Sequence, residues 1–343
     1  MELSQDLVLV TGATGHIGSC VLLHLLRHGY RVRAAVRSEE KIAEVLSQPQ
    51  IRALNPRYRL TFALVPDISV PRAYDQAVEG VTHIIHLASP LATNVGIPSH
   101  LHEDFFIKPA VEGTINLLKA ADMAGTVRRV VITSSIVALV PYAEMEGLTK
   151  RSPLDPVTAD NRIPFVPGPY ESTFAAYAAS KVAALHSAEA WMARERPAFD
   201  AVYLHPGFVL GRNNNATTHR QLMQGTNSIV LALLLGKRFG PYAGITVHVD
   251  DVAKAHVKSL SPSVAGNQSY ILGQSSRWNE AREIAKRYYP EAFNRKRFVM
   301  GGSVKTARIP FDISITEATF GFEFANFKEQ VKSVVDQFLQ LRL

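Results

Sequence analysis

Disulfide chemistry and membrane-spanning segments are both missing from this chain. Its 343 residues include a single cysteine, Cys20, so no internal disulfide can form. The longest apolar run, residues 229–235, is far too short to cross a bilayer. No basic segment leading into an apolar stretch precedes the first strand-like sequence, and we therefore expect a cytoplasmic protein without a signal peptide.

Concentrated positive charge is missing as well, although the formal net charge is +7. The lysines and arginines are scattered, and no basic stripe is interleaved with aromatic residues as in proteins that bind single-stranded nucleic acid. We therefore expect no nucleic acid and no membrane among the partners. With 47% hydrophobic and 20% charged residues, the composition is typical of a folded globular protein. The length suffices for about two domains.

Short apolar runs alternate with amphipathic stretches through the first two thirds of the chain. This alternation predicts a parallel sheet with helices on both faces, a Rossmann-type doubly wound α/β fold. The predicted strands are residues 7–10, 32–36, 60–65, 82–86, 129–133 and 201–205. The predicted helices are residues 17–28, 40–46, 74–78, 104–124 and 173–194.

The pattern changes near Gly211, and we expect two parts. Residues 1–210 are predicted to form the nucleotide-binding Rossmann domain. Residues 211–343 are predicted to form mainly a smaller C-terminal substrate-binding lobe, with part of 240–275 returning to the main domain. Within this lobe, residues 221–235 are predicted to form one helix. Ligands of such sheets bind at the carboxyl edge of the strands, which is where we expect the site.

A glycine-rich segment lies between the first predicted strand and the first predicted helix. At this spacing, Gly12 permits a tight turn, Gly15 lets the main chain approach a pyrophosphate, and Gly18 lets the helix pack against the strand. Free N–H groups at the start of the helix then bind the anion. The sequence therefore predicts a dinucleotide site here. Its expected residues are Gly12, Thr14, Gly15, His16, Ile17 and Gly18.

The end of the second strand distinguishes the two dinucleotides. An acidic residue there would bind the adenosine ribose and favour NAD, whereas this chain has Arg37 and then Lys41. Arg37 can bind a 2′-phosphate through two parallel hydrogen bonds, and Lys41 adds a second charge. We therefore predict NADPH/NADP+ as the cofactor, with a solvated arginine as the alternative reading of Arg37. Asp67, after the third strand, could accept a hydrogen bond from adenine or simply close a turn.

Tyr177 and Lys181 lie four residues apart in the last predicted helix of this series, which places a phenol and an ammonium on one face. Carbonyl reduction needs a proton donor for the forming alkoxide. A cation one turn away lowers the pKa of a tyrosine from its usual value of about 10. Thr133, Ser134 and Ser135 end the fifth strand, where a hydroxyl can polarise the substrate oxygen. We favour Ser135 for that role, with Ser134 as the alternative.

Taken together, these segments resemble the extended short-chain dehydrogenase/reductase family. Within it, the chain resembles the dihydroflavonol-reductase-like branch, close to fungal and yeast NADPH-dependent aldehyde, ketone and methylglyoxal reductases. The resemblance covers nearly the whole chain, and the segments 248–253 and 320–324 are typical of the branch. It implies that Ser135, Tyr177 and Lys181 form a catalytic triad.

The same resemblance implies cofactor contacts along the carboxyl edge. Arg37 and Lys41 would hold the 2′-phosphate, and Asp67 and Ile68 would contact adenine. The contacts expected on the nicotinamide side are Pro206, Gly207 and Val209. The further contacts expected at strand ends are Leu87, Ala88, Ser89 and Thr133.

Three features depart from the family pattern. Ala110 stands where many relatives have an asparagine that relays protons, so that relay is absent or replaced by water. His16 replaces the aromatic residue that is common after the second glycine; it either touches the pyrophosphate or replaces a packing residue. The stretch before Tyr177 lacks the tryptophan found in much of the branch, so pocket residues cannot be carried over.

The predicted reaction is hydride transfer from NADPH to a ketone or aldehyde, which gives a chiral alcohol. The expected pocket segments, residues 139–170 and 213–239, carry few charges at obvious sites, so we expect a mostly apolar small carbonyl substrate. A nucleotide-sugar epimerase or dehydratase of the same fold and a nonenzymatic NADP(H)-responsive regulator are the competing hypotheses. Monomer and homodimer are both compatible with the sequence. We expect no metal, because His100, His102 and Asp104 are more typical of a polar loop and helix start.

Overall fold

The computed structural model describes residues 6–91 and 96–341. The outer limits of the two predicted domains, residues 1 and 343, lie outside this part. The strands are β1 Leu7–Thr11, β2 Arg31–Val36, β3 Leu60–Leu64, β4 His83–His86, β5 Arg129–Thr133, β6 Asp200–Pro206, β7 Phe208–Leu210, β8 Arg238–Ala243, β9 Ile245–His248, β10 Gln268–Leu272, β11 Gln274–Ser275 and β12 Ser303–Ala307. The helices are α1 His16–Arg27, α2 Glu39–Ser47, α3 Pro49–Leu54, α4 Lys108–Ala124, α5 Tyr142–Met145, α6 Thr173–Glu195, α7 His219–Leu222, α8 Asn227–Leu234, α9 Val249–Lys258, α10 Glu280–Tyr288, α11 Pro290–Asn294, α12 Ser314–Phe320 and α13 Phe327–Gln340.

Seven parallel strands form the main sheet, in the order β3-β2-β1-β4-β5-β6-β10. Their apolar residues are buried on both faces, as the near-continuous hydrophobic runs predict; Val8, Leu9 and Val10 are fully buried. The strand order reverses between β1 and β4, where the connections leave in opposite directions. This crevice at the carboxyl edge is where such sheets bind ligands. The predicted doubly wound sheet is therefore confirmed.

Helices cover both faces of the sheet. On one face α1 packs against α9, and on the other α4 packs against α6. Helix α6 begins at Ser172, whose side chain accepts a hydrogen bond from Ala175 N at 3.0 Å. It continues for 23 residues and carries both Tyr177 and Lys181. Helix and strand ends therefore meet at the same edge of the sheet.

The C-terminal part has a core of its own around the fully buried Trp278, packed with helices α8, α10 and α13. Strands β7, β9 and β11 form a small sheet, and β8 pairs with β12. Strand β10, in contrast, pairs with β6 in the main sheet. In the described part of the chain, every helix is too short or too polar to cross a membrane.

Two predicted helices were wrong. Residues 74–78 form turns rather than a helix, although Tyr74 is fully buried there and Val78 nearly so. These apolar residues are buried because they pack against the sheet, and not because they form one face of a helix. The predicted helix 221–235 is two helices, α7 and α8, because the connection between them includes Gly225 with a φ of +79°.

Candidate active site

The glycine loop after β1 approaches the neighbouring strand end so closely that only glycine fits. Gly12 has a φ of +70°, and a Cβ atom there would lie 2.8 Å from the main-chain nitrogen of Ala88. A Cβ atom on Gly18 would lie 2.1 Å from the carbonyl oxygen of Gly12. Helix α1 then begins at His16 with no side-chain cap and no acidic residue in its first turn. Its free N–H groups fit the pyrophosphate of a dinucleotide.

Thr11 ties this loop to the end of β4. Its Oγ1 accepts hydrogen bonds from the main-chain N–H groups of Leu87 and Ala88, each at 3.1 Å. With both acceptor positions used, its own hydroxyl proton points to His86 Nδ1 at 2.8 Å. Burial lowers the pKa of His86 to about 3, so the ring is neutral and carries its proton on Nε2. This buried histidine was not identified from the sequence.

Asn215 holds the glycine loop from the C-terminal side. Its Nδ2 donates to the carbonyl oxygens of Thr14, at 2.9 Å, and Gly15, at 3.1 Å. Its Oδ1 accepts from the side chain of Gln48 at the end of α2. The sequence placed Asn215 only within an expected pocket segment, residues 213–239, because the contact joins segments about 200 residues apart.

His16 and Ile17 lie in the first turn of α1, which begins one residue before the predicted helix start at residue 17. Burial lowers the pKa of His16 to about 4, and its Nε2 atom is buried without a hydrogen-bond partner among the described residues. The neutral ring therefore adds no positive charge at the predicted pyrophosphate site.

The residues predicted for the adenosine end follow β2 and β3. Arg37 is exposed directly after β2 and makes no hydrogen bond or ion pair within the described part of the chain. Lys41 pairs with Glu44 on α2. Asp67 closes a turn, since its Oδ1 accepts from the N–H of Ser69 at 2.8 Å and from its hydroxyl at 2.6 Å. These two bonds lower the pKa of Asp67.

The remaining predicted cofactor contacts lie at strand ends along the same edge. Ile68 packs against α4, where a Cβ atom on Gly113 would lie 2.7 Å from its Cδ1. Pro206 ends β6, Gly207 donates its N–H to Leu272 O at 2.9 Å, and Val209 lies in β7. Leu87, Ala88 and Ser89 follow β4, and Thr133 ends β5.

A cavity of about 20 Å³ is lined by Lys181 of the predicted triad and by Ser134, the alternative serine, whereas Tyr177 and Ser135 do not line it. Lys181 from α6, Ser134 after β5 and His86 from β4 all line it. The hydroxyl of Ser134 is buried without a hydrogen-bond partner among the described residues. Ser135 caps a short 3-10 turn, and its Oγ accepts from Val137 N at 3.4 Å.

Burial shifts the pKa values of both residues of the Tyr–Lys pair. Burial raises the pKa of Tyr177 to about 12, and the nearby Ser135 hydroxyl offsets part of this shift. Burial lowers the pKa of Lys181 to about 8. Its Nζ lies 5.8 Å from the centroid of the Tyr177 ring. The predicted lowering of the Tyr177 pKa by Lys181 is therefore wrong for this arrangement, because burial of the phenol contributes more. At neutral pH the phenol keeps its proton and can donate it.

Two further neutral histidines support the strand ends beneath this pair. His205 Nδ1 donates to the carbonyl oxygen of Ser135 at 3.3 Å, and its Nε2 lies 3.1 Å from the hydroxyl of Ser269. His256 Nδ1 donates to the carbonyl of Val252 at 2.7 Å, so its Nε2 accepts from the Thr133 hydroxyl, also at 2.7 Å. Burial lowers the pKa of His205 to about 3 and that of His256 to about 4. Each tautomer is fixed because a carbonyl oxygen can only accept.

Comparisons with known proteins identify the family and the fold. Residues 8–273 match the model of the NAD dependent epimerase/dehydratase family. The ketoreductase CTB6 of Cercospora nicotianae is 39% identical over 99% of this chain and 96% of its own length. The NAD-dependent epimerase/dehydratase ALT6 of Alternaria alternata is 34% identical over 99% of this chain and all of its own length. The structure of Gre2 from Candida albicans in complex with NADPH superposes with a TM-score of 0.82 at 24% identity, over 98% of this chain and 100% of that one.

Proposed function

The chain belongs to the NAD dependent epimerase/dehydratase family, the extended short-chain dehydrogenase/reductases, and within this family we propose that it is an NADPH-dependent carbonyl reductase. It reduces a ketone or aldehyde to a chiral alcohol. The observation that carries the proposal is the position of the buried phenol of Tyr177. This phenol lies near the Ser135 hydroxyl, on the helix whose Lys181 lines a cavity with the ends of β4 and β5.

The proposed reaction follows from the proton and the hydrogen bonds that each side chain can donate. Bound NADPH supplies the hydride. The Ser135 hydroxyl donates a hydrogen bond to the substrate oxygen and stabilises the charge that develops on it. Tyr177 transfers its proton to the same oxygen as the alkoxide forms. Lys181 offers N–H donors to the ribose hydroxyls of the cofactor and stabilises the phenolate that remains after proton transfer.

The choice of NADPH rests on the end of β2. Arg37 is exposed at the position where an acidic residue would favour NAD, and no described side chain neutralises it. A guanidinium group can bind a phosphate through two parallel hydrogen bonds. The Gre2 structure with a similar fold holds NADPH, which is consistent with this choice.

The surroundings of Tyr177 favour a mostly apolar substrate. The ring of Phe174 stacks on that of Tyr177, with centroids 6.2 Å apart, and Tyr142 lies 6.1 Å beyond Phe174. Such an aromatic wall favours apolar or aromatic compounds over charged nucleotide sugars. Ile136, Val137 and Ala138, which follow the catalytic serine, are all buried apolar residues. They leave no acid at the position where dehydratases need one.

The experiment that tests the proposal is NADPH oxidation against aromatic ketones, keto esters and aldehydes, with NADH and Tyr177→Phe in parallel. We expect turnover that prefers NADPH and falls by at least about 100-fold in Tyr177→Phe, because the proton donor is lost. Tyr142→Phe is the matched control, since it removes a hydroxyl from the same aromatic group without touching the proton donor. Cofactor binding without turnover of any carbonyl would contradict the proposal. Oxidised cofactor retained through purification would then favour an epimerase or dehydratase.

A further inference from the structure

Three potential metal ligands meet on the face of the sheet where α1 packs against α9. Cys20 and His24 lie one helical turn apart on α1, so their side chains share a face. Asp250 lies in the first turn of α9, 230 residues further along the chain. Its Oδ1 lies 3.1 Å from Cys20 Sγ and 3.2 Å from His24 Nε2. All three potential ligand atoms lie within 4.8 Å of one another.

This donor set and its spacing match a zinc site with one open position. Thiolate, imidazole and carboxylate are the three ligand types that zinc takes in proteins, at about 2.0–2.3 Å from the metal. Tetrahedral geometry at those bond lengths places neighbouring ligand atoms roughly 3.4 Å apart. The two measured separations from Asp250 Oδ1, 3.1 and 3.2 Å, are close to this value. Only small side-chain movements would be needed to receive an ion.

From this arrangement we infer that Cys20, His24 and Asp250 bind one Zn²⁺ ion, with water at the fourth position. Without metal, the thiol S–H and the imidazole N–H both donate to the Asp250 carboxylate. On binding, the thiol proton leaves to solvent, and the His24 proton resides on Nδ1 so that Nε2 can coordinate. The thiolate and the carboxylate together balance the two positive charges of the ion.

The surroundings give the ion a route in and hold the ligands in place. The side chain of Asp250 is 48% exposed and that of His24 is 11% exposed, so the cluster opens to solvent on the Asp250 side. His248 Nδ1 accepts the main-chain N–H of Asp250 at 3.2 Å, which fixes the turn that carries the carboxylate. Contacts of this kind orient metal ligands and raise affinity.

A zinc ion at this site would hold helix α1, which follows the glycine loop, against α9. Helix α1 begins at His16, one turn before Cys20, directly after the loop predicted to hold the pyrophosphate. Metal binding would link this helix to α9 by coordinate bonds in addition to packing. The folded protein should therefore become more stable as the zinc concentration rises, since only folding brings Asp250 to Cys20 and His24, which lie more than 220 residues away along the chain.

Cobalt substitution provides the test, because the chain has only one cysteine. Untagged protein is titrated with Co²⁺, and the near-ultraviolet thiolate-to-cobalt absorption band is followed. We expect a band that saturates at one equivalent and disappears when Zn²⁺ is added. Any such band must come from Cys20.

Variants decide whether the three residues act together. Cys20→Ser should abolish the band, and His24→Gln and Asp250→Asn should each weaken Co²⁺ binding by at least about tenfold. His28→Gln is the matched control: His28 lies one turn further along the chain, outside the three-residue cluster, and its loss should leave binding unchanged. In parallel, Zn²⁺ should raise the Tm of the unaltered protein and not that of Cys20→Ser.

Two results would overturn the inference. The first is the absence of a thiolate band at stoichiometric Co²⁺ in the unaltered protein. The second is a band whose affinity is the same in His24→Gln and Asp250→Asn, which would mean that a lone thiol binds the ion. Because the spectrum of the unaltered protein decides the first point, a variant that fails to fold does not remove the test.

Discussion

His205 donates a hydrogen bond from Nδ1 to the main-chain carbonyl of Ser135, across 70 residues of sequence. The carbonyl belongs to the residue whose hydroxyl is proposed to polarise the substrate. The bond therefore fixes the turn after β5, and with it the direction in which the Ser135 side chain projects from the main chain. The neutral ring is held in one tautomer, because its Nε2 accepts from the Ser269 hydroxyl at 3.1 Å.

Replacement of Ser135 by alanine should lower kcat without weakening NADPH binding. Loss of one donor to a developing oxyanion costs about 100-fold or more in kcat. The measurement is steady-state reduction of the best carbonyl found, together with NADPH binding by fluorescence. Ser134→Ala is the neighbouring control and should keep kcat within a few-fold. If Ser134→Ala were the damaging change instead, the polarising role would pass to Ser134.

Replacement of Arg37 by serine should reduce the preference for NADPH over NADH. A charge-assisted hydrogen bond contributes about 1.5–3 kcal/mol, so the ratio of kcat/KM values for the two cofactors should fall by roughly 10- to 100-fold. The loss should appear in the KM for NADPH, since Arg37 lies far from the reacting carbon. Arg31→Ser, at the start of β2 and also exposed, is the control. An unchanged cofactor ratio in Arg37→Ser would mean that Arg37 is a solvated arginine.

The pH dependence of kcat/KM for carbonyl reduction should follow the titration of Lys181. Its pKa is lowered to about 8 by burial, whereas that of Tyr177 is raised to about 12. As pH rises through about 8, Lys181 loses its charge and can no longer stabilise the phenolate, so kcat/KM for the carbonyl should fall. The profile should be flat on the acid side down to the pH at which the protein unfolds. Lys181→Met should be slow and should lack the inflection, and a profile without any fall above neutrality would contradict this prediction.

The stability of the fold should fall steeply in weak acid because of three buried histidines. His86, His205 and His256 have folded-state pKa values of about 3, 3 and 4, lowered by burial, whereas the unfolded values are near 6.5. Their stabilising contribution is complete above pH about 6.5 and is lost as pH falls towards the folded values, since the unfolded chain binds more protons. Near pH 5 these three rings together should contribute about 4 kcal/mol per pH unit to the slope, and His16, whose pKa is also lowered to about 4, adds about one more.

Urea denaturation at a series of pH values measures this slope. His256→Gln should lower the slope by about 1 kcal/mol per pH unit, because one of the buried rings no longer takes up a proton on unfolding. The exposed His100 is the control, since His100→Gln should leave the slope unchanged. A free energy of unfolding that stays constant between pH 7 and pH 5 would show that the folded and unfolded chains take up the same number of protons, and hence that the pKa values of these rings are not lowered.

The local sequence pattern predicted the main sheet and the cofactor loop. The apolar runs of β1, β4, β5 and β6 are continuous because both faces are buried, so they could be identified from the local sequence alone. Gly12 and Gly18 were identified for the same reason, since the turn they form is a property of a few adjacent residues. Strand β8 was missed because Gly240 and Pro241, which disfavour a strand, lie within it. Its pairing with β12 stabilises the strand despite these two residues.

The sequence by itself determined the order of strands β1 to β6, the spacing of the glycine loop, and the single helical turn between Tyr177 and Lys181. Each of these depends on bonds and contacts between residues close along the chain. Only the tertiary structure decided that burial, and not Lys181, controls the pKa of Tyr177. It alone brought Asn215 onto the glycine loop and Asp250 beside Cys20, across about 200 and 230 residues. Such pairs arise from the winding of the whole chain around one sheet, which no local pattern records.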